Sequence, residues 1–165
     1  MITQKQATDI LRSDDLIGLA MEADAVRKRL HPAGIVSYAL EDECVPSIAA
    51  LDFRHGESLE ERIGKLSRVR RAQEETGCFV AVNPCVDGTA AEYLKILALS
   101  RIYLDNVPNV QTSWVTAGAK VCQIALRFGA NDIVGPTEQE LRRVIRDAGF
   151  IPKQRGAHFQ TLLLC

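Results

Sequence analysis

A chain of 165 residues is the length of one ordinary domain, long enough to bury a core without disulfide or metal staples. Its 20 basic and 21 acidic residues leave a net charge of −1. That balance argues against nucleic acid or an anionic membrane as the main partner, since both favour a basic face.

The opening residues, MITQKQATDILRSDD, carry charges and no apolar segment, so they do not read as a signal peptide. No apolar run approaches the ~18 residues of a membrane span, and the expectation is a cytoplasmic protein. Two helices come first. Thr3 with Gln6 makes a capping-box pattern. Ser13-Asp14-Asp15 then starts a second helix, whose basic end at Arg27, Lys28 and Arg29 suits the helix dipole. His31-Pro32 and Gly34 stop it, and GIVSYALE (34–41) reads as a first strand.

From there a strand–helix unit repeats. VPSIAALDF (45–53) is followed by a helix from Ser58 to about Thr76, with Ser58 and Glu61 as a capping box. CFVAVNP (78–84) precedes a helix from Thr89, capped by Glu92. NVQTSW (109–114) leads into a helix across 117–128. NDIVG (131–135) precedes a helix from Thr137, with Glu140 completing a box, Gly149 ending it and Pro152 beyond. Short apolar runs with little alternation suit strands buried on both faces of a parallel sheet. The predicted fold is α/β: four or five mostly parallel strands with flanking helices, right-handed crossovers and an N-terminal helical segment. It forms a single domain over 1–165, with helices in 1–33 and the sheet in 34–165. An open doubly wound sheet and a fragment of a βα barrel both fit this pattern.

Two basic clusters, Arg68, Arg70 and Arg71, then Arg142, Arg143 and Arg146, alternate with apolar residues at helical spacing and read as solvated helix faces. The five cysteines, Cys44, Cys78, Cys85, Cys122 and Cys165, show no CxxC or CxxxCxxC spacing. Thiols rather than disulfides are expected, with no metal site and no cofactor.

Candidate ligand-binding residues are Gln111, Ser113 and Trp114, at the C-terminal end of a predicted strand, and Asn131 and Asp132 in the GAND turn, assigned to the same rim. Functional residues gather at that rim in βα folds. The competing reading packs Trp114 in the core and uses Asn131 and Asp132 in turns. His31 reads as structural, and His55, beside Asp52 and Arg54, as a loop residue rather than an acid–base. Asp52 and Asp87 follow strands without a paired carboxylate, and no GxGxxG, P-loop or HExxH motif occurs. No catalytic residue is assigned.

Four blocks carry a family likeness: DLIGLAMEADAVRKRLHPAGIVSYALE (15–41), ESLEERIGKLSRVRRAQEETGCFVAVNP (57–84), AAEYLKILALSRIYLDNVPNVQTSWVTAGAKVCQIALRFGANDIVG (90–135) and ELRRVIRDAGFIPKQR (140–155). In this order they resemble the radical SAM enzymes of the futalosine route to menaquinone, the cyclic dehypoxanthine futalosine synthase group above all. The resemblance implies a barrel fragment of about half such an enzyme. It also implies what is missing. The family carries a CxxxCxxC loop soon after the segment matching Val36 to Leu40, and its three thiolates hold the 4Fe–4S cluster that activates S-adenosylmethionine. Here Cys44 stands alone there, and VPSIAALDFRHGE, which resembles a much later strand, follows directly. Independent radical SAM chemistry is therefore not expected.

Half a barrel exposes sheet edges and the side chains that once faced inward. Either the N-terminal helices close one side, or two chains pair as a homodimer; a full-length family member is a further possible partner. The expected role is a non-catalytic remnant serving as a ligand-binding or assembly module. The alternatives are an enzyme with a repurposed pocket at Gln111, Trp114, Asn131 and Asp132, and a cluster assembled between subunits.

Overall fold

The computed structural model describes residues 1–40 and 47–156. In chain order the elements are α1 (Gln4–Arg12), α2 (Leu16–Leu30), β1 (Ile35–Leu40), β2 (Ile48–Phe53), α3 (Leu59–Thr76), β3 (Ala81–Val86), α4 (Ala90–Tyr103), β4 (Asn109–Ser113), α5 (Trp114–Ala117), α6 (Ala119–Ala125), β5 (Asp132–Gly135), α7 (Glu138–Asp147) and β6 (Ile151–Gln154). Capping side chains set the helix starts. Thr3, Ser58 and Thr89 each accept the amide three residues on, while Gln6, Glu61 and Glu92 reach back to the cap amide. The helix expected across 117–128 is found as the shorter α6, and Gly118 at φ 79° separates it from the single turn α5 before it.

All strand pairs are parallel, in the order β2-β3-β4-β5-β1-β6. Strands β2 to β5 advance across the sheet in sequence, so their crossovers lie on one face, as in a βα barrel. The strand residues that join the helices in the core are accordingly one alternating set: Val36, Tyr38, Ala49, Leu51, Phe53, Val82, Val110 and Ile133. A doubly wound sheet would need helices on both faces. The structure is therefore a partial βα barrel, and its sheet is not closed. Among the described residues the sheet has six strands, against the four or five expected. The sixth, β6, was hidden in the sequence by Pro152, which discourages a strand reading.

Both outer edges are blunted within the chain. Amides of Ile151 and Arg155 donate to Gly34 and Tyr38, so alternation turns the intervening Pro152 outward, where no amide is needed. At the other edge Phe53 gives its carbonyl to Asp87 in the β3 direction, so Asp52 presents its carbonyl outward, and Lys65 Nζ donates to it.

The N-terminal helices do not close a sheet edge. They pack on α3 and α4 instead. Helix α4 is thus enclosed between the sheet and α2, which explains why Tyr93–Leu94 and Ile96 to Tyr103 are all buried and its sequence is apolar on every side. No helix among the described residues is long and apolar enough to cross a membrane.

Candidate functional site

Among the described residues no helix covers the other face of the sheet, and this helix-free face carries the complementary alternating set. One level across it runs Ala50 (β2), Asn83 (β3), Gln111 (β4), Asp132 (β5), Ser37 (β1) and Lys153 (β6), fixed by the register pairs Ala50–Asn83, Val82–Val110, Gln111–Asp132, Ser37–Asp132 and Ser37–Lys153. Barrel interiors are ordinarily filled by branched apolar side chains, but five of these six are polar. Asp132 is the hub. Gln111 Nε2 donates to its Oδ2 at 2.8 Å and Ser37 Oγ to its Oδ1 at 2.5 Å. Arg155, just beyond β6, grips both carboxylate oxygens, Nε to Oδ1 at 2.6 Å and Nη2 to Oδ2 at 2.8 Å. All four residues are buried, and charge-assisted bidentate pairing is strongest where water is excluded. The Asn83 Oδ1 beside them is buried with no hydrogen-bond partner among the described residues.

The next level toward the strand C-termini holds the pairs Asp52–Cys85, Ser113–Val134 and Ala39–Val134. Ser113 is buried there. Burial, with the Asp52 charge alongside, pushes the Cys85 thiol upward and so keeps it protonated.

Two of the predicted site residues leave this face. Trp114 opens α5 and packs against the main core, with its side chain over Gly135 on the helix side. Asn131 precedes β5, so the GAND turn lies at the N-terminal rim of the sheet, and Asp132 is the first residue of its strand. A turn that enters a strand sits at the opposite end from one that leaves it, which corrects the rim assigned to both residues. Asn131 belongs to a separate buried network. Arg101 donates from Nε to Gly129 O at 2.8 Å, from Nη1 to Pro108 O at 3.1 Å, and from Nη2 to Asn131 Oδ1. Asn131 Nδ2 donates to Asn109 Oδ1 at 2.7 Å, and His31 Nε2 lies 2.7 Å from Pro108 O. Burial, with Arg27 nearby, brings Arg101 down to about 9, still charged at neutral pH. Burial also lowers His31, and the Arg101 and Arg27 charges add to that against the Pro108 carbonyl. Conserving structure, rather than binding, is what this end of a barrel ordinarily does.

His55 and Asp87 are exposed loop residues. The basic clusters are only partly solvated: Arg70 pairs with Asp105 at 2.9 Å and Arg142 donates to the Tyr38 hydroxyl at 3.1 Å. Cys78 is exposed before β3, Cys85 lies near its far end, and Cys122 is buried in α6 against Thr112 Oγ1 at 3.3 Å. Among the described residues no three His, Cys, Asp or Glu side chains form a group that could hold a metal ion. Cys44 and Cys165 lie outside the described residues.

The sequence reading missed Arg155 and Ser37, which meet Asp132 only through strand register, and Asn83, which register brings level with Gln111. Arg101 did leave a signal: it sits in the apolar run Ile96 to Tyr103 of α4, and an arginine there is almost never buried without partners.

The CofH/MqnC C-terminal region matches residues 72–136, the stretch from the end of α3 through β5 that supplies Asn83, Gln111 and Asp132. The cyclic dehypoxanthine futalosine synthase of Halalkalibacterium halodurans is 38% identical over 142 residues, covering 69% of this chain and 38% of that protein. The aminodeoxyfutalosine synthase of Thermus thermophilus is 31% identical, covering 72% of this chain and 41% of that protein. The 5-amino-6-(D-ribitylamino)uracil–L-tyrosine 4-hydroxyphenyl transferase of Methanocaldococcus jannaschii is 28% identical over 205 residues, covering 96% of this chain and 57% of that protein. That match is longer than this chain, so the relative holds internal segments with no counterpart here. The chain spans about two fifths of the length of the first two relatives. It is a relative of the futalosine-pathway radical SAM enzymes.

Proposed function

We propose that this chain is a ligand-binding or protein-assembly module of the futalosine-pathway family, without radical SAM chemistry of its own. The observation that carries the reading is the polar row across the helix-free face, with Asn83 Oδ1 buried beside Gln111 and Asp132 and without a partner among the described residues. A face kept only as packing would hold branched apolar residues, whereas a pre-organised polar row suits a polar, nucleoside-like occupant of the kind the relatives' names describe. The competing reading, an enzyme with a repurposed pocket, needs Trp114 and Asn131 beside Gln111 and Asp132, and those two side chains serve the core and the opposite rim.

Titration calorimetry with aminodeoxyfutalosine tests the ligand side. Saturable binding, weakened about tenfold or more by Gln111→Ala, is the expected result; no heat at millimolar ligand refutes it. Anaerobic incubation with iron and sulfide tests the chemistry. An absorption band near ~400 nm would show a cluster and overturn the reading.

A further inference from the structure

The outer edge of β2 keeps open backbone. Its odd-numbered residues bond to β3, as the Phe53 carbonyl does in accepting the Asp87 amide, so Ile48, Ala50 and Asp52 turn their peptide groups outward. Lys65 blunts this edge only at the Asp52 carbonyl. The Ala50 amide and carbonyl have no hydrogen-bond partner among the described residues, and Ala50 is exposed. That edge lines a cavity of about 460 Å³ shared with α3, from Ala50, Leu51 and Asp52 on the strand to Lys65, Arg68 and Val69 on the helix. Arg54 and Glu57, from the loop after β2, complete the lining.

Charge decides what fits there. Lys65 and Glu57 pair with each other. Alternation turns the Asp52 carboxylate to the helix-free face, level with Cys85. Arg54 and Arg68 are both exposed, and neither makes an ion pair among the described residues. Three cations against two carboxylates leave the lining one net positive charge. The rest of it is apolar: Leu51 is buried, and Val69 packs against the main core. A segment laid along β2 would bond its backbone to Ala50. Its side chains level with Leu51 would turn toward α3, where Arg68 and Val69 stand.

We infer that the β2 edge is a docking surface for an extended acidic segment of another protein, which adds a short strand at Ala50 and sets a Glu or Asp side chain against Arg54 and Arg68. In this mode backbone pairing supplies affinity and alternate side chains supply specificity. The inference rests on the protein-assembly side of the proposed function, to which it gives a surface and a partner chemistry, and it is independent of the ligand side.

The test uses the full chain and a labelled, N-acetylated and C-amidated VEVEV peptide, followed by fluorescence anisotropy at low salt, with the VKVKV counterpart alongside. Saturable binding of the acidic peptide, about tenfold or more tighter than of the basic one, is the expected result. Ala50→Pro removes the outward amide while leaving Ala49, Leu51 and Phe53 to bond β3, and is expected to weaken binding about tenfold or more. Arg68→Glu, at an exposed helix position, is expected to do the same and carries the test if the proline variant fails to fold. Equal binding of the two peptides, no binding at millimolar peptide, or an Arg68→Glu variant that binds as the parent does would each overturn the inference. So would a dimer in light scattering that Ala50→Pro converts to monomer, since a second copy would then hold the edge. Peptide binding without heat from aminodeoxyfutalosine would keep this docking surface while removing the ligand reading, and the reverse result would remove this one.

Discussion

Arg155 and Asp132 meet through two parallel hydrogen bonds of 2.6 and 2.8 Å, with the arginine 5% and the aspartate 0% exposed. The pair spans the sheet, since Arg155 follows β6 and Asp132 opens β5 with β1 between them. It therefore ties the last strand to the row of polar groups on the helix-free face. Such a pair gains little net stability over apolar residues of the same shape, but removal of one member leaves a desolvated charge.

Asp132→Ala is accordingly expected to destabilise the fold by about 3–5 kcal/mol. Asp132→Leu combined with Arg155→Met is expected to recover much of that loss, because neither charge then remains buried alone. Urea denaturation of the single and double variants decides it; a double variant no more stable than Asp132→Ala contradicts the account.

His31 makes stability depend on pH. Its folded value lies below the ordinary 6.5, chiefly through burial and then through Arg101 and Arg27. The unfolded chain therefore takes up the proton first as pH falls, so the contribution is whole above about 6.5 and is lost as pH drops through the folded value. The slope from one such proton is at most about 1.4 kcal/mol per pH unit. Denaturation midpoints between about pH 7.5 and 5 should fall more steeply for the parent chain than for His31→Gln. Equal slopes would remove His31 as the cause.

Gly129, in the turn before β5, takes φ 100°, and a Cβ there would lie 2.8 Å from Arg101 Cγ and 3.2 Å from the Ala23 Cβ. Gly129→Ala is expected to cost about 2–4 kcal/mol, from backbone strain plus crowding of a buried arginine. Gly56, at φ 80° with nothing within 4 Å of a Cβ, isolates the backbone share, and Gly56→Ala should cost about 1–2 kcal/mol. Thermal unfolding of both variants separates the two contributions.

The elements follow from local chemistry, and so does their legibility. Thr3, Ser58, Thr89 and Thr137 cap the helices that their spacing to Gln6, Glu61, Glu92 and Glu140 predicts, because a cap is made within four residues. The parallel α/β class follows equally from short apolar strands alternating with those helices. The family likeness is also a property of the chain alone.

What tertiary structure decided is everything that depends on register and on position across the sheet. Gln111 and Asp132 are 21 residues apart, Ser37 and Asp132 are 95, and only strand pairing brings them to one carboxylate. Pro152 conceals a strand from local reasoning because its missing amide matters only on the bonded edge, and pairing with β1 puts it on the other. Asn131 and Asp132, adjacent in the chain, serve opposite faces of the sheet, since successive strand residues point opposite ways. Short-range propensity settles which residues form a helix or a strand; which face and which neighbour they meet is settled by long-range hydrogen bonding and by burial of the apolar set.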